Sequence, residues 1–345
     1  MSTRKNSTDA HSFKAARCVL KGHPGIDAGY LLGSAATDRP RPDSDGDGFA
    51  LVKSQGGMQW LTRASLLIGS MCGLFLFAAG AVAQGPESST DAALPTPPKG
   101  LRILYGGDSW HRFMPTYAGL TAKAAGIKGQ TIHWGDPVRK DIAELYSKGE
   151  IDVHSWGRPG WSSDKLHQIL DPKPIEDGLK GNPDYRVYVQ MAWAVHDGLG
   201  NRVAAREDYD NSKVEEGQAI LDRERVKVEA AADKLNEKYG RQFFFLVPLG
   251  DATTKLRGMI VEGTFPGVTK QSDIFADSMP HAGPITAELA AYCNYAAIYR
   301  QSPVGLRIEN GVPDEQRVIL QTLAWETVSK YRYAGVKQEG TDSKK

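Results

Sequence analysis

The fold of this 345-residue chain is decided by residues 102–109, RILYGGDS. The first four residues are a short β-rich run, and the two glycines and the aspartate after them favour a turn. Beyond the turn, apolar side chains recur at helical spacing as far as Ala125. The stretch therefore predicts one βα unit in which Ser109 stands directly after the strand.

The same alternation of strand and helix continues along the chain. Four further β-rich or apolar runs predict strands, at 130–134, 151–156, 185–193 and 243–247. The last run is apolar without alternation, which is typical of a strand buried on both faces. Strands separated by helices predict a five-stranded parallel sheet between two layers of helices. Ligands of such sheets bind at the carboxyl ends of the strands.

Start and stop signals place several of the helices. Pro137 suits the first turn of a helix after the second strand. A long helix is predicted from Ser212, with Glu215 as its partner in a capping box, to the glycine stop at Gly240. Apolar stripes predict two more helices, at 284–300 and 314–331.

Composition excludes several classes of protein. Hydrophobic residues make up 41% of the chain and charged residues 24%, as in soluble globular proteins. With 42 Lys and Arg against 41 Asp and Glu, no basic field is present to hold nucleic acid, which is not expected as a partner. No phosphate loop or dinucleotide-binding glycine motif follows a predicted strand, so no cofactor is expected. The cysteines, Cys18, Cys72 and Cys293, are too few for a disulfide-stapled scaffold.

The N-terminal quarter of the chain predicts export. Residues 64–82 carry no charge, and Ala81-Val82-Ala83 is typical of a signal-peptide cleavage site. We predict a signal peptide at 58–83, preceded at 1–57 by a disordered leader or a mis-assigned start, since translation from Met58 would give an ordinary signal peptide. The alternative is a membrane anchor at 64–82, because its 19 residues approach the ~20 that span a bilayer.

The remaining boundaries follow from composition. A Pro/Ser/Thr-rich linker is predicted at 84–99, a folded domain at 100–331 and a flexible tail at 332–345. The mature domain is therefore expected in the periplasm or outside the cell, and it touches the membrane only through the signal peptide.

Three side chains suited to nucleophilic catalysis stand near the predicted carboxyl edge of the sheet. Ser109 follows the first strand, near the start of a helix whose N–H groups can stabilise an oxyanion. Asp277 and His281 lie in a loop just before the helix 284–300, and we expect that loop to leave the fifth strand, or the segment after it, at the same edge. A nucleophilic serine needs a base and an acid that orients the base. The alternative is structural, with a turn at Ser109, a helix-capping aspartate and an incidental surface histidine.

These motifs and their order resemble the GDSL or SGNH hydrolase superfamily, with the closest likeness to exported members from planctomycete-type bacteria. The resemblance covers about residues 101–306. It implies a flavodoxin-like three-layer α/β/α fold and ester hydrolysis through an acyl-enzyme. Ser109 would be the nucleophile, His281 the base and then the acid, and Asp277 the residue that orients the imidazole. Gly135, after the second strand, would donate its N–H to the oxyanion.

The sequence departs from the pattern of that superfamily at two places. The usual Asp-x-x-His is one residue longer here, so Asp277 reaches the imidazole differently or Asp273 replaces it. The Gly-x-Asn-Asp element after strand three is missing, and residues 155–161, SWGRPGW, stand in its place. Loss of one oxyanion donor costs ~3 kcal/mol in a related case. Either Gly157 or Arg158 substitutes for the asparagine, or the protein is a weak or inactive hydrolase.

Two other chemistries fit the same edge. A metal-dependent hydrolase would hold zinc with the histidines at or after the ends of strands one to four, His111, His133, His154 and His196. A catalytically inactive carbohydrate-binding module would use the tryptophans near the edge, Trp110, Trp134, Trp156, Trp161 and Trp193. An esterase or acetylesterase acting on an acylated carbohydrate would combine the serine site with substrate contacts from Trp110 and Trp156. We expect a small-molecule or carbohydrate ester as substrate, and the sequence leaves the oligomeric state open.

Overall fold

The computed structural model describes residues 31–32, 49–50, 96–158, 172–194 and 203–336. The chain divides into two units, 1–84 and 85–345. In the first unit, Leu31–Leu32 pairs antiparallel with Phe49–Ala50. The predicted signal peptide and most of the linker lie outside the described residues, as do Trp161 and His196. None of the helices in the described part of the chain is both long and apolar enough to cross a membrane.

The second unit contains a five-stranded sheet in which every pairing is parallel. Its strands are β1 (Arg102–Gly107), β2 (Thr131–Trp134), β3 (Val153–Arg158), β4 (Arg186–Met191) and β5 (Phe244–Val247). The spatial order is β2-β1-β3-β4-β5, which is the flavodoxin-like order. All five strands fall within or beside the runs that predicted them, and the predicted α/β class with a five-stranded parallel sheet is confirmed.

Seven α-helices in the described part of this unit surround the sheet. They are α1 (Met114–Ala124), α2 (Lys140–Ser147), α3 (Pro172–Gly181), α4 (Val214–Lys238), α5 (Leu249–Val261), α6 (Pro284–Tyr299) and α7 (Asp314–Ser329). Short 3₁₀ turns lie at Arg206–Asn211, Gln271–Ile274 and Arg332–Ala334.

Each face of the sheet packs against its own hydrophobic core. Alternation along β1 sends Ile103 and Tyr105 to the core formed with α1, α5 and α6, and Leu104 to the core formed with α2, α3 and α4. Helix α7 packs against α5 and α6 on the outside of the first core. The result is the three-layer α/β/α arrangement.

Two local expectations are wrong, and two helices were not predicted. Helices α3 and α5 had no counterpart in the sequence prediction. The capping box at Ser212 is absent, because α4 begins at Val214 and the Ser212 hydroxyl instead accepts a hydrogen bond from Arg257. The fold also continues past residue 331, since Tyr333 and Ala334 are buried in the cores. Residues 332–336 therefore belong to the domain and not to a flexible tail.

Candidate active site

Ser109 stands on a turn that begins where β1 ends. Gly107 has a φ of 118°, and a Cβ there would come within 2.0 Å of the Gly157 carbonyl oxygen, so only glycine fits. The chain then winds through two successive turns, with His111 N donating to Asp108 O (3.1 Å) and Met114 N to His111 O (3.0 Å). Ser109 is left exposed at the carboxyl edge of the sheet.

Ser109 meets a histidine from 172 residues further along the chain. Ser109 Oγ lies 2.8 Å from His281 Nε2, and His281 Nδ1 lies 2.6 Å from Asp277 Oδ2. The second carboxylate oxygen of Asp277 accepts the backbone N–H groups of Met279 (3.0 Å) and His281 (3.2 Å). The extra residue in the Asp-x-x-x-His spacing thus lets Asp277 brace its own loop while it contacts the imidazole.

Two buried aromatic residues anchor this loop from outside. Trp193 Nε1 donates to the Pro280 carbonyl (2.9 Å), and the Tyr209 hydroxyl donates to the Ser278 carbonyl (2.9 Å). Of the two origins expected for this loop, the structure shows the second, since the loop follows α5 and the 3₁₀ turn Gln271–Ile274 that come after β5. Its placement depends on these two hydrogen bonds and on the bridge between Phe275 and Ala282.

Asp273 does not replace Asp277. Its carboxylate is exposed and lies 4.0 Å from Arg206 Nη2. Asp277 is the carboxylate that contacts His281.

The tryptophans expected to bind substrate are mostly core residues. Trp110 is 2% exposed and packs between Trp193 and His281, with ring centroids 5.1 and 5.9 Å away. Trp156 is 5% exposed and belongs to the core on the opposite face of the sheet. The interpretation of Trp110 and Trp156 as a substrate platform is therefore wrong, although Trp110 supports the imidazole. Trp134 is partly exposed.

His111 is buried beneath the serine turn and holds it to β1. Its Nδ1 lies 2.8 Å from the Gly106 carbonyl, so the proton sits on Nδ1, and the unprotonated Nε2 lies 3.4 Å from Ser155 Oγ. Burial lowers the pKa of His111 to about 4. A Cβ on Gly157 would come within 2.5 Å of the imidazole, so the turn that carries Ser109 packs tightly against β3 through His111.

The predicted zinc cluster does not form from the described histidines. His133 and His154 both pair in register with Leu104 and so share one face of the sheet, whereas His111 packs against Ser155 on the other face. His154 is 3% exposed, and burial lowers its pKa to about 3. Within the described ranges, no three His, Cys, Asp or Glu side chains gather as metal ligands.

The groups expected to donate hydrogen bonds to an oxyanion beside Ser109 are not all available in the structure. The Gly135 N–H already donates to the Tyr105 carbonyl (3.0 Å), so Gly135 is not a free oxyanion donor. Gly157 lies inside β3, and its carbonyl accepts from Asp108 N (3.4 Å). The side chain of Arg158 lies outside the described part of the structure. The Ser109 N–H has no hydrogen-bond partner among the described residues and is the donor that remains.

A buried polar network behind the serine turn was not found from the sequence. Asn294 Nδ2 donates to Gln190 Oε1 (2.7 Å), and Ser155 Oγ donates to Asn294 Oδ1 (3.4 Å). Together with His111, these side chains link β3, β4 and α6 beneath the site. The available signal was Gln190 itself, the lone amide among the apolar and aromatic residues that follow Arg186 in strand β4.

Comparison with known proteins gives one match, to a solved structure. The sequence matches no protein-family profile and no curated protein. A crystal structure of a DUF4886 family protein from Bacteroides uniformis ATCC 8492 is similar, with a TM-score of 0.46 and 14% sequence identity, over 70% of this chain and 100% of that chain. These comparisons do not assign the chain to a family.

Proposed function

We propose that this protein is a serine hydrolase that cleaves esters through an acyl-enzyme. The proposal rests on one observation, the continuous contact from Ser109 Oγ through the His281 ring to Asp277, at 2.8 and 2.6 Å. Hydroxyl, imidazole and carboxylate at these distances form the arrangement that activates a serine, whatever the fold that carries it. Asp277 lies in the loop that Trp193 and Tyr209 anchor, and its contact with His281 suits this role better than that of a helix cap.

Each side chain has a defined role in the proposed reaction. Asp277 accepts the Nδ1–H of His281, which leaves Nε2 to accept the proton of Ser109 Oγ as the oxygen attacks the acyl carbon. His281 then protonates the departing alkoxide, and the acyl group remains on Ser109 as an ester. Water enters next and gives its proton to His281, and collapse of the second tetrahedral intermediate releases the acid and returns the proton to Ser109.

The oxyanion of both tetrahedral intermediates needs N–H donors. Ser109 N–H supplies one, since no described residue already accepts it. With Gly135 N–H bonded to Tyr105 and no asparagine after β3, the described residues offer a smaller set of donors than the superfamily pattern implies. We therefore expect a slow hydrolase, because each missing donor costs about 3 kcal/mol of transition-state stabilisation.

The experiment that tests the proposal uses Ser109→Ala. The variant should lose turnover of a short-chain 4-nitrophenyl ester and labelling by a fluorophosphonate, while its thermal midpoint stays within about 2 °C because Ser109 is exposed. Ser147→Ala, which changes another exposed serine at the C-terminal end of α2, is the matched control and should keep both. Unchanged turnover or labelling in Ser109→Ala would exclude the serine mechanism.

Export remains part of the proposal. It is supported by the uncharged stretch 64–82 followed by Ala81-Val82-Ala83. N-terminal sequencing of the protein recovered outside the cytoplasm should begin at Gln84, whereas a membrane-bound protein that keeps residues 64–82 would favour the anchor.

A further inference from the structure

One side chain beside Ser109 carries a charge that neither the fold nor the proposed triad uses. Arg112 is exposed, and no carboxylate among the described residues pairs with it. Its guanidinium lies over the indole of Trp134, 5.7 Å from the ring centroid. By contrast, Arg139, which follows β2 at the same edge, is already paired with Asp141 at 2.6 Å.

Arg112 lies on the same short segment as the nucleophile. Two consecutive turns, closed by His111 N to Asp108 O and Met114 N to His111 O, carry the chain from β1 into α1. Ser109 lies in the first turn and Arg112 in the second, three residues apart, and both side chains are exposed. Trp134 ends β2, the strand beside β1, so the arginine, the indole and Ser109 share the carboxyl edge of the sheet.

The position of the guanidinium over the indole selects the kind of ligand. An arginine held over an aromatic ring by a cation–π contact still has its N–H groups available for hydrogen bonds, and a carboxylate matches the planar guanidinium with two parallel hydrogen bonds. The ring also holds the guanidinium in place, which lowers the conformational entropy lost when a ligand binds.

We propose that Arg112, supported by Trp134, is a specificity site for substrates that carry a free carboxylate in addition to the ester that Ser109 cleaves. This inference rests on the proposed function for its reaction, but the carboxylate site is a property of the surface and can be measured without turnover. The carboxylate belongs either to the acyl group or to the alcohol, and the test separates these two sources.

The kinetic test compares matched pairs of esters. Mono-4-nitrophenyl glutarate is compared with 4-nitrophenyl pentanoate for the acyl side, and 3-acetoxybenzoate with phenyl acetate for the alcohol side. We expect the carboxylated member of one pair to have a kcat/KM at least 10-fold higher. Arg112→Gln should reduce that ratio to about one, Arg112→Lys should retain part of it, and Arg139→Gln should leave it unchanged.

A binding test keeps the inference separate from the proposed function. In Ser109→Ala, calorimetric titration with glutarate and with 3-hydroxybenzoate should show saturable binding for one of them, at least 10-fold tighter than glutaramide or phenol. Arg112→Gln should abolish the difference. If the esters are not hydrolysed but this difference is found, the proposed function fails and the carboxylate site stands. Equal binding of acids and neutral analogues, or a preference that survives Arg112→Gln, would overturn the inference.

Discussion

At the scale of single residues, the site depends on which ring nitrogen of His281 carries the proton. Asp277 accepts from His281 Nδ1 with one oxygen and from two backbone N–H groups with the other. An amide in its place keeps an oxygen for the backbone but presents an NH₂ that cannot accept the Nδ1 proton. The tautomer that leaves Nε2 free to act as a base is then disfavoured.

Asp277→Asn therefore separates chemistry from folding. We expect kcat to fall by a factor of about 10²–10⁴ and the urea midpoint to change little, because the loop keeps its N–H acceptor. Steady-state kinetics and a denaturation curve measure both. Asp273→Asn, which changes a nearby carboxylate with no contact to His281, should leave both kcat and the urea midpoint unchanged. A normal kcat in Asp277→Asn would mean that the carboxylate does not orient the base.

A second residue-scale effect concerns Gly157. An added Cβ would meet His111 Cγ at 2.5 Å, and that ring is held on both sides, by Gly106 and by Ser155. We expect Gly157→Ala to lower the free energy of unfolding by about 1–3 kcal/mol, as overpacking does. Gly258→Ala is the matched control, because nothing lies within 4 Å of its Cβ and it sits in α5, where alanine should stabilise by about 0.5–1 kcal/mol. Urea denaturation measures the free energy of unfolding of both variants, which we expect to fall in Gly157→Ala and to rise in Gly258→Ala.

At the scale of elements, the sequence was most informative where secondary structure follows from local pattern. Short β-rich or apolar runs and helical stripes located the five strands and α1, α2, α4, α6 and α7. The position of Ser109 after β1 also followed, and its approach to the loop with Asp277 and His281 was expected because parallel strands end at one edge. The pairing of Asp277 with His281 was expected because both residues lie in that loop, just before α6. Elsewhere, residues distant in sequence took the hydrogen bonds that had been expected locally. The Ser212 hydroxyl accepts from Arg257 and does not cap α4. The Gly135 N–H donates to the Tyr105 carbonyl and is not free for the oxyanion role that the resemblance implied.

The aromatic residues show a second limit of sequence analysis. The sequence around a tryptophan near a strand end is the same whether its side chain faces a ligand or the core. Only the packing in the structure separates Trp110 and Trp156, which are buried, from Trp134, which is partly exposed. The anchors of the loop that carries Asp277 and His281 were hidden for the same reason, since Tyr209 is 69 residues away from its partner Ser278.

The anchoring of the loop gives an element-scale prediction. Tyr209→Phe removes the hydrogen bond to the Ser278 carbonyl and costs about 1 kcal/mol of stability. Because the loop positions His281, we expect kcat to fall several-fold while KM stays within twofold. Tyr295→Phe, which removes the hydrogen bond from this α6 tyrosine to Gln301, is the control and should leave kcat unchanged. Equal effects of the two variants on kcat would show that Tyr209 contributes stability alone.

At the scale of the whole molecule, a buried histidine lies on each face of the sheet, and the lowered pKa of each keeps both imidazoles neutral in the folded protein near pH 7. Burial lowers the pKa of His111 to about 4 and that of His154 to about 3, from an ordinary value near 6.5. In the unfolded chain both take up a proton as the pH falls below about 6.5. The unfolded state therefore binds more protons between that pH and the folded pKa, and the free energy of unfolding falls as the pH is lowered.

The size of this effect makes acid stability a test of the buried histidines. His111 alone should lower the free energy of unfolding by about 3 kcal/mol between pH 6.5 and 4, and His154 should extend the loss toward pH 3. His154→Leu removes one of the two titrations from a site where Nε2 has no partner among the described residues. Urea curves from pH 8 to 4 should then show the same stability trend above pH 7 in both proteins and a shallower decline below it in the variant. Parallel declines would show that His154 is protonated equally in the folded and unfolded states.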